Sequence, residues 1–247
     1  MKAGRAIRSL IFVGVAAVSC LAMAGCNTGR KAYLDRLASL EKGQGKGVSP
    51  QTIDELQRGI DQYRAEVEKK VSAAQNLGVY YKMIALKYLD GGMYGLALVN
   101  LRSAAEIYPE NSQLFYYAGI CAARMGKAEA TDTSKRAEYF AEAEANYRRA
   151  VFLEQGFVDA LYGLAVLYAV EMGRPAEAEP LLDTVLEREK KNVEAMFLLA
   201  RIYYGTGRLE QAVAMYNRIV DSKPGEKITA QARANGQQVE DELYGKK

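Results

Sequence analysis

Residues Val193 to Glu226 carry an apolar pattern that recurs upstream with a period of 34. A chain with such a period is committed to a stack of like units, each of which leaves a face for its neighbour to cover. Counting Val193 as position 1, Leu199 and Ala200 stand at 7 and 8, Tyr203 at 11, Gly207 at 15, Ala212 at 20, Tyr216 at 24 and Pro224 at 32. From Gly78 the same positions read Ile84, Ala85, Tyr88, Gly92, Ala97, Leu101 and Pro109. From Ser112, Ala118, Gly119, Ala122 and Gly126 fit, and the second half resumes twelve residues late at Ala143, Tyr147 and Ala150. From Val158, Leu164, Ala165 and Tyr168 fit, and the pattern then shifts by one to Ala178, Leu182 and Val185. Between Ala178 and Ala212 the count is again 34, so the phase recovers after each interruption.

The spacing predicts paired helices. Met196, Leu199, Ala200 and Tyr203 lie three or four apart and form one apolar face, and Ala212, Met215, Tyr216 and Ile219 form the stripe that meets it. Gly207 supplies the turn, Ala200 and Ala212 let the two backbones approach, and Pro224 ends the second helix because it lacks an N–H and its ring clashes with the preceding turn.

This pattern resembles the tetratricopeptide repeat (TPR), and the resemblance implies an all-α TPR α-solenoid of four helix-turn-helix repeats with N-terminal and C-terminal flanking helices. The repeats are read as 78–111, 112–157 with an insertion, 158–192 and 193–226. In this family positions 2, 5, 9, 12 and 13 of the first helices face a concave groove. Carried onto this chain, the groove residues are Lys82 and Leu86, then Tyr116, Ile120 and Arg124, then Tyr162, Val166 and Ala169, and finally Phe197, Arg201 and Tyr204. Tyr116, Tyr162 and Phe197 share position 5, a row of rings suited to anchoring apolar side chains of a peptide, although such rings can equally pack against adjacent helices. The members that bind chaperone tails clamp a terminal carboxylate with Lys and Asn. Here Leu86, Ile120, Val166 and Arg201 stand where the first Asn belongs, which argues against that ligand.

The N-terminus reads as a secretory leader over residues 1–25, with basic Lys2, Arg5 and Arg8 before an apolar run from Leu10 to Ala24. Met23-Ala24-Gly25-Cys26 resembles the lipobox of bacterial lipoproteins, which implies cleavage before Cys26 and acylation of its sulfur. Acyl chains hold to a bilayer by roughly 0.8 kcal/mol per buried CH₂. Asn27 follows the cysteine, and by the sorting habit of enteric lipoproteins that resembles an outer-membrane address on the periplasmic side. Residues 26–49, with Gly43, Gly45 and Gly47 among polar side chains, read as a tether, part of which can form a short amphipathic helix through Tyr33, Leu34, Leu37 and Leu40. A helix over 50–77 carries Ile53, Leu56, Ile60, Tyr63, Val67, Val71 and Ala74 at alternating three- and four-residue steps. That stripe needs a partner, either the first repeat, which the helix would cap, or another subunit in a coiled-coil contact. Residues 127–138 insert a loop and lengthen the helix that follows, and residues 227–247 read as a C-terminal capping helix with a polar outer side at Gln237, Gln238, Glu240, Asp241 and Glu242.

Charge and chemistry exclude much else. Without Lys2, Arg5 and Arg8, 30 basic side chains face 30 acidic ones, a balance unsuited to nucleic acid. The chain holds no His, so the usual general base, the commonest metal ligand and the nucleophile pairs built on it are missing. No phosphate-cradling Gly motif and no Cys pair for zinc occur. Glu138, Glu142, Glu144, Glu177 and Glu179 read as solvated helix faces. Of the three cysteines Cys20 leaves with the leader and Cys26 takes lipid, so Cys121 remains alone and reads as a buried small hydrophobe. The expectation is therefore a non-enzyme with no cofactor and no metal. It is a membrane-anchored adaptor or assembly factor of the bacterial envelope with a protein or peptide in its groove, and it is a candidate homo-oligomer. The alternative is a transporter-associated component that binds a small hydrophobic or amphipathic ligand.

Overall fold

The computed structural model describes residues 50–245. The leader, Cys26 and the tether over 26–49 lie outside the described residues. The chain divides into two units, Met1–Val67 and Glu68–Lys247. The described part of the first is helix, on which Ile53, Leu56, Ile60 and Val67 are exposed.

Among the described residues every regular element is helical. The order is α1 (Pro50–Asp90), α2 (Tyr94–Ile107), α3 (Ser112–Ala128), α4 (Thr133–Leu153), α5 (Val158–Val166) running into a π-helical turn (Leu167–Glu171), α6 (Pro175–Arg188), α7 (Val193–Gly205), α8 (Leu209–Ser222) and α9 (Glu226–Leu243). In the second unit α3 pairs with α4, α5 with α6 and α7 with α8 as hairpins, and each packs on its neighbours through α2 on α3, α4 on α5, α6 on α7 and α8 on α9. Small residues make the close approach possible. Ala85, Ala165 and Ala200 at position 8 and Ala97, Ala143, Ala178 and Ala212 at position 20 are all fully buried, and so are Ala104, Ala150, Val185 and Ile219 at position 27. The array is an α-solenoid, as the period requires.

Four local features depart from the simplest expectation or refine it. First, the helix read over 50–77 and the first helix of the repeat at 78 are one helix, α1, with no break at Gly78. Gly78 is there for packing: a Cβ on it would lie 2.6 Å from the Tyr108 ring, whose hydroxyl donates to the Gln75 carbonyl at 2.8 Å. Second, Gly126 occupies the turn position of its repeat but lies inside α3, because the insertion lengthens both helices of the pair. A Cβ there would sit 2.6 Å from the Phe140 ring. The loop is Glu129–Asp132, and the Asp132 side chain accepts from the Lys135 N–H at 3.0 Å to cap α4. The other turn glycines, Gly92, Gly173 and Gly207, have φ of 70°, 64° and 74°, the left-handed region that favours glycine. Third, the one-residue shift between Tyr168 and Ala178 is the π-helical turn. The Met172 N–H reaches back five residues to Leu167 O at 3.0 Å, so one extra residue fits without unravelling the helix. Fourth, α8 stops at Ser222, and Lys223 takes φ 54° ahead of Pro224.

The fourth repeat makes its turn without the extra residue. Arg208 N–H bonds Tyr203 O at 2.8 Å across five residues, and Arg174 N–H bonds Tyr168 O at 2.8 Å across six. The bulge thus returns Arg174 to the station Arg208 holds. Deleting Val170, which is exposed, should convert the π turn to α geometry and move the thermal midpoint by no more than about 4 °C. A drop of tens of degrees would show that the π turn is itself needed.

α9 caps the array as a further first helix would. Gly163 on α5 lets the Tyr147 ring of α4 approach, and Gly236 on α9 does the same for Tyr216 of α8. Ala232, Gly236 and Val239 are buried, while Gln237, Gln238 and Glu242 face water and Glu240 and Asp241, read as part of the same outer side, are half-buried. Cys121 is fully buried in α3 and burial pushes its thiol up to about 12, as befits a packing residue.

Candidate functional site

The first helices of the repeats bring together residues that the position count alone did not pair: position 5 of one repeat meets position 2 of the next. The Lys82 ammonium donates to Gln113 Oε1 at 2.9 Å. Burial raises the Tyr116 phenol, and the Asp159 carboxylate raises it further. Tyr162 is raised by burial and by Glu194, with Arg201 opposing. Asp159 and Glu194 each stand one residue into a first helix, at the start of α5 and α7, and both are exposed. The surface is therefore a row of half-buried rings with carboxylates between them, and the exposed guanidinium groups of Arg124 and Arg201 complete it. Gln113, Asp159 and Glu194 were missed in the sequence reading, although position 2 is one of the groove positions and pointed to them.

The rings differ in how open they are. Tyr116 packs against Tyr117, Tyr147 and Phe157, with ring centroids 5.3, 6.2 and 5.1 Å away. Phe197 meets the Tyr216 ring edge-on at 6.1 Å. Both are held by the scaffold, so each offers a partner one edge of a fixed ring. Leu86, Ile120, Tyr162, Val166 and Ala169 are half-buried. Tyr204 is exposed, but its hydroxyl donates to Glu242 of α9 at 2.9 Å, which ties the last groove position to the capping helix.

A second recurring arrangement lies between repeats. Tyr168 Oη donates to Glu144 Oε1 at 2.8 Å, Arg174 donates to Glu144 Oε2 at 2.9 Å and to Glu177, and the Arg174 guanidinium lies 4.5 Å over the Tyr168 ring. One repeat later Arg208 grips Glu179 with two bonds, 2.9 and 2.7 Å, and lies 4.5 Å over the Tyr203 ring. Glu142, Glu144 and Glu179 are half-buried in ion pairs that cross between repeats, with Arg102, Arg174 and Arg208, which corrects the reading of them as solvated faces, whereas Glu138 and Glu177 are exposed as read. The reason is positional: Glu144 and Glu179 directly follow the buried Ala143 and Ala178 and so face the neighbouring repeat. Each clamp ties the second helix of one repeat to the turn of the next.

Comparison with known proteins places this geometry. The tetratricopeptide repeat family model matches residues 169–235. A TPR repeat-containing protein of Borreliella burgdorferi is 22% identical over 173 residues, covering 70% of this chain and 74% of that protein. The protein O-mannosyl-transferase Tmtc3 of Drosophila melanogaster is 34% identical over 86 residues, 34% of this chain but 9% of that protein. Among solved structures, MamA superposes with a TM-score of 0.54 at 16% identity, covering 71% of this chain and 95% of that one. TTC0263 of Thermus thermophilus gives 0.53 at 19% identity, covering 75% and 97%. YrrB, described as a TPR protein with an unusual peptide-binding site, gives 0.53 at 22% identity, covering 74% and 86%.

Proposed function

We propose that the chain is a tetratricopeptide-repeat protein and, on that reading, a lipid-anchored adaptor or assembly factor of the bacterial cell envelope that holds a peptide segment of another protein along its first helices. The observation that carries the reading is the Lys82–Gln113 bond of 2.9 Å from position 5 of one repeat to position 2 of the next, at the station where the charges of Asp159 and Glu194 act on Tyr116 and Tyr162 in the repeats that follow. Rings held by their neighbours bind apolar side chains at little entropic cost, and the carboxylates between them suit basic groups on the same peptide. YrrB, similar in fold, makes a peptide the partner class to try first. The anchor rests on the lipobox at Cys26, and the outer-membrane address on Asn27.

The test uses living cells. A photocrosslinking side chain at Arg201, on the proposed groove, should give an adduct that Glu194→Lys weakens at least tenfold, and the same side chain at Ala214, exposed on α8, should give none. Equal adducts at both positions, or indifference to Glu194→Lys, would remove the groove. Cys26→Ala should move the protein from the membrane to the soluble fraction, and normal maturation of that variant would remove the anchor.

A further inference from the structure

The start of α1 carries an apolar stripe that is open to water: Ile53, Leu56 and Ile60 are 54%, 41% and 52% exposed. The boundary between the two units falls at Val67, inside this unbroken helix, so Pro50 to Val67 group with the chain that precedes them and not with the repeats. That preceding chain, outside the described residues, carries the same apolar spacing in mirror order. Counting back from Leu40, Leu37 is three residues away and Tyr33 a further four; counting forward from Ile53, Leu56 is three away and Ile60 a further four. Antiparallel helices rise by equal steps, so with Leu40 level with Ile53, Leu37 comes level with Leu56 and Tyr33 with Ile60. Residues 43–49 between the two stripes include Gly43, Gly45 and Gly47, and Pro50 opens α1 where proline is pre-organised for a first turn. A connection of this length is ordinary between antiparallel helices.

We propose that residues 31–42 fold back on α1 as an antiparallel helix and cover Ile53, Leu56 and Ile60 with Leu40, Leu37 and Tyr33. The charges agree with that register. Lys31, Asp35 and Lys42 turn away from α1, Glu41 lies at the loop end, and Arg36 falls on the side of Glu55, where opposite charges attract. A fourth rung would bring Arg30 beside Arg64, so the pair ends at Tyr33. A helix of about twelve residues is marginal by itself, so this one forms as it docks. Because it is joined to its site by a short connection, its effective concentration there is on the order of millimolar, above that of a free partner or a second copy. On the reading that Cys26 carries lipid, the hairpin leaves residues 27–30 as the free tether and shortens its r.m.s. reach from roughly 25 Å to roughly 11 Å.

Thiol labelling of the purified full chain tests this. The slower of Leu56→Cys and Ile60→Cys should react with a soluble maleimide at least about tenfold more slowly than Arg58→Cys on the outer side of α1, as a helix docked more than about nine-tenths of the time requires. Rates are read at each residue by peptide mass, which keeps the native cysteines out of the measurement. The protection should be equal at high and low protein concentration, and Leu37→Asp should abolish it while the thermal midpoint of the repeats stays the same. Labelling of both variants as fast as Arg58→Cys overturns the proposal. So does protection that fades on dilution, which would give the stripe to a second copy, and so does protection that Leu37→Asp leaves intact. The thiol rate does not depend on whether Cys26 carries lipid, so the hairpin and the anchor stand or fall separately.

Discussion

Replacing Gly119 with alanine is expected to lower the free energy of unfolding by about 2 kcal/mol, read by chemical denaturation with circular dichroism. The sign is the reverse of the ordinary one, since glycine inside a helix is usually worse than alanine by roughly 0.5–1 kcal/mol. The reversal comes from Tyr147. A Cβ on Gly119 would lie 2.7 Å from that ring, and the ring has α5 against it as well, where a Cβ on Gly163 would lie 2.8 Å from its Cε1. Tyr147 is thus gripped between two repeats through two missing methyl groups, and burial raises its phenol well above the usual value. Tyr147→Ala should cost about 3–5 kcal/mol, the range for truncating a buried aromatic. In that background the Gly119→Ala penalty should vanish. Gly59→Ala, with nothing within 4 Å of the new methyl, supplies the control and should stabilise α1. A Gly119→Ala protein as stable as the wild type would show that the ring is not confined.

Acid should loosen the clamp between the second and third repeats. Burial works to raise the Glu144 carboxyl, but its bonds from Tyr168 and Arg174 and the nearby positive charge outweigh that and hold it below the ordinary 4.5. Glu177 is held down chiefly by its bond from Arg174. A carboxylate whose pKa is depressed by folding stabilises the fold fully above its unfolded value and ceases to as pH falls through the folded one. Stability should therefore be flat from neutral pH to about 5 and decline below 4.5. Glu144→Gln should cost on the order of 1 kcal/mol at pH 7, kept small by the water around the network, and should make the acid decline shallower. An unchanged acid profile in that variant would remove Glu144 from the clamp.

The stacking was legible in the chain because it depends on volume at fixed intervals. Ala97, Ala143, Ala178 and Ala212 are small where two helices touch, and no other arrangement explains why they recur in phase. The one-residue slip before Ala178 could also be counted, but counting could not say where it would be absorbed. A helix can take up one residue anywhere along a turn, and the packing of Tyr168 and Arg174 against Glu144 chose Leu167–Glu171. Gly126 misled for a related reason. Glycine serves a turn and a close approach equally well, and only the Phe140 ring, brought over by a helix lengthened through the insertion, shows which use applies.

The chain by itself determined that helices pair, how many pairs there are and which small residues sit between them, because those follow from local periodicity and side-chain size. What only the tertiary structure decided is which polar groups meet. Glu144 and Arg174, Glu179 and Arg208, Tyr162 and Glu194 come from different repeats, and whether a charge in one repeat finds its partner in the next depends on a few ångströms of register. That register is set by the summed packing of every hairpin below it and is written at no single position.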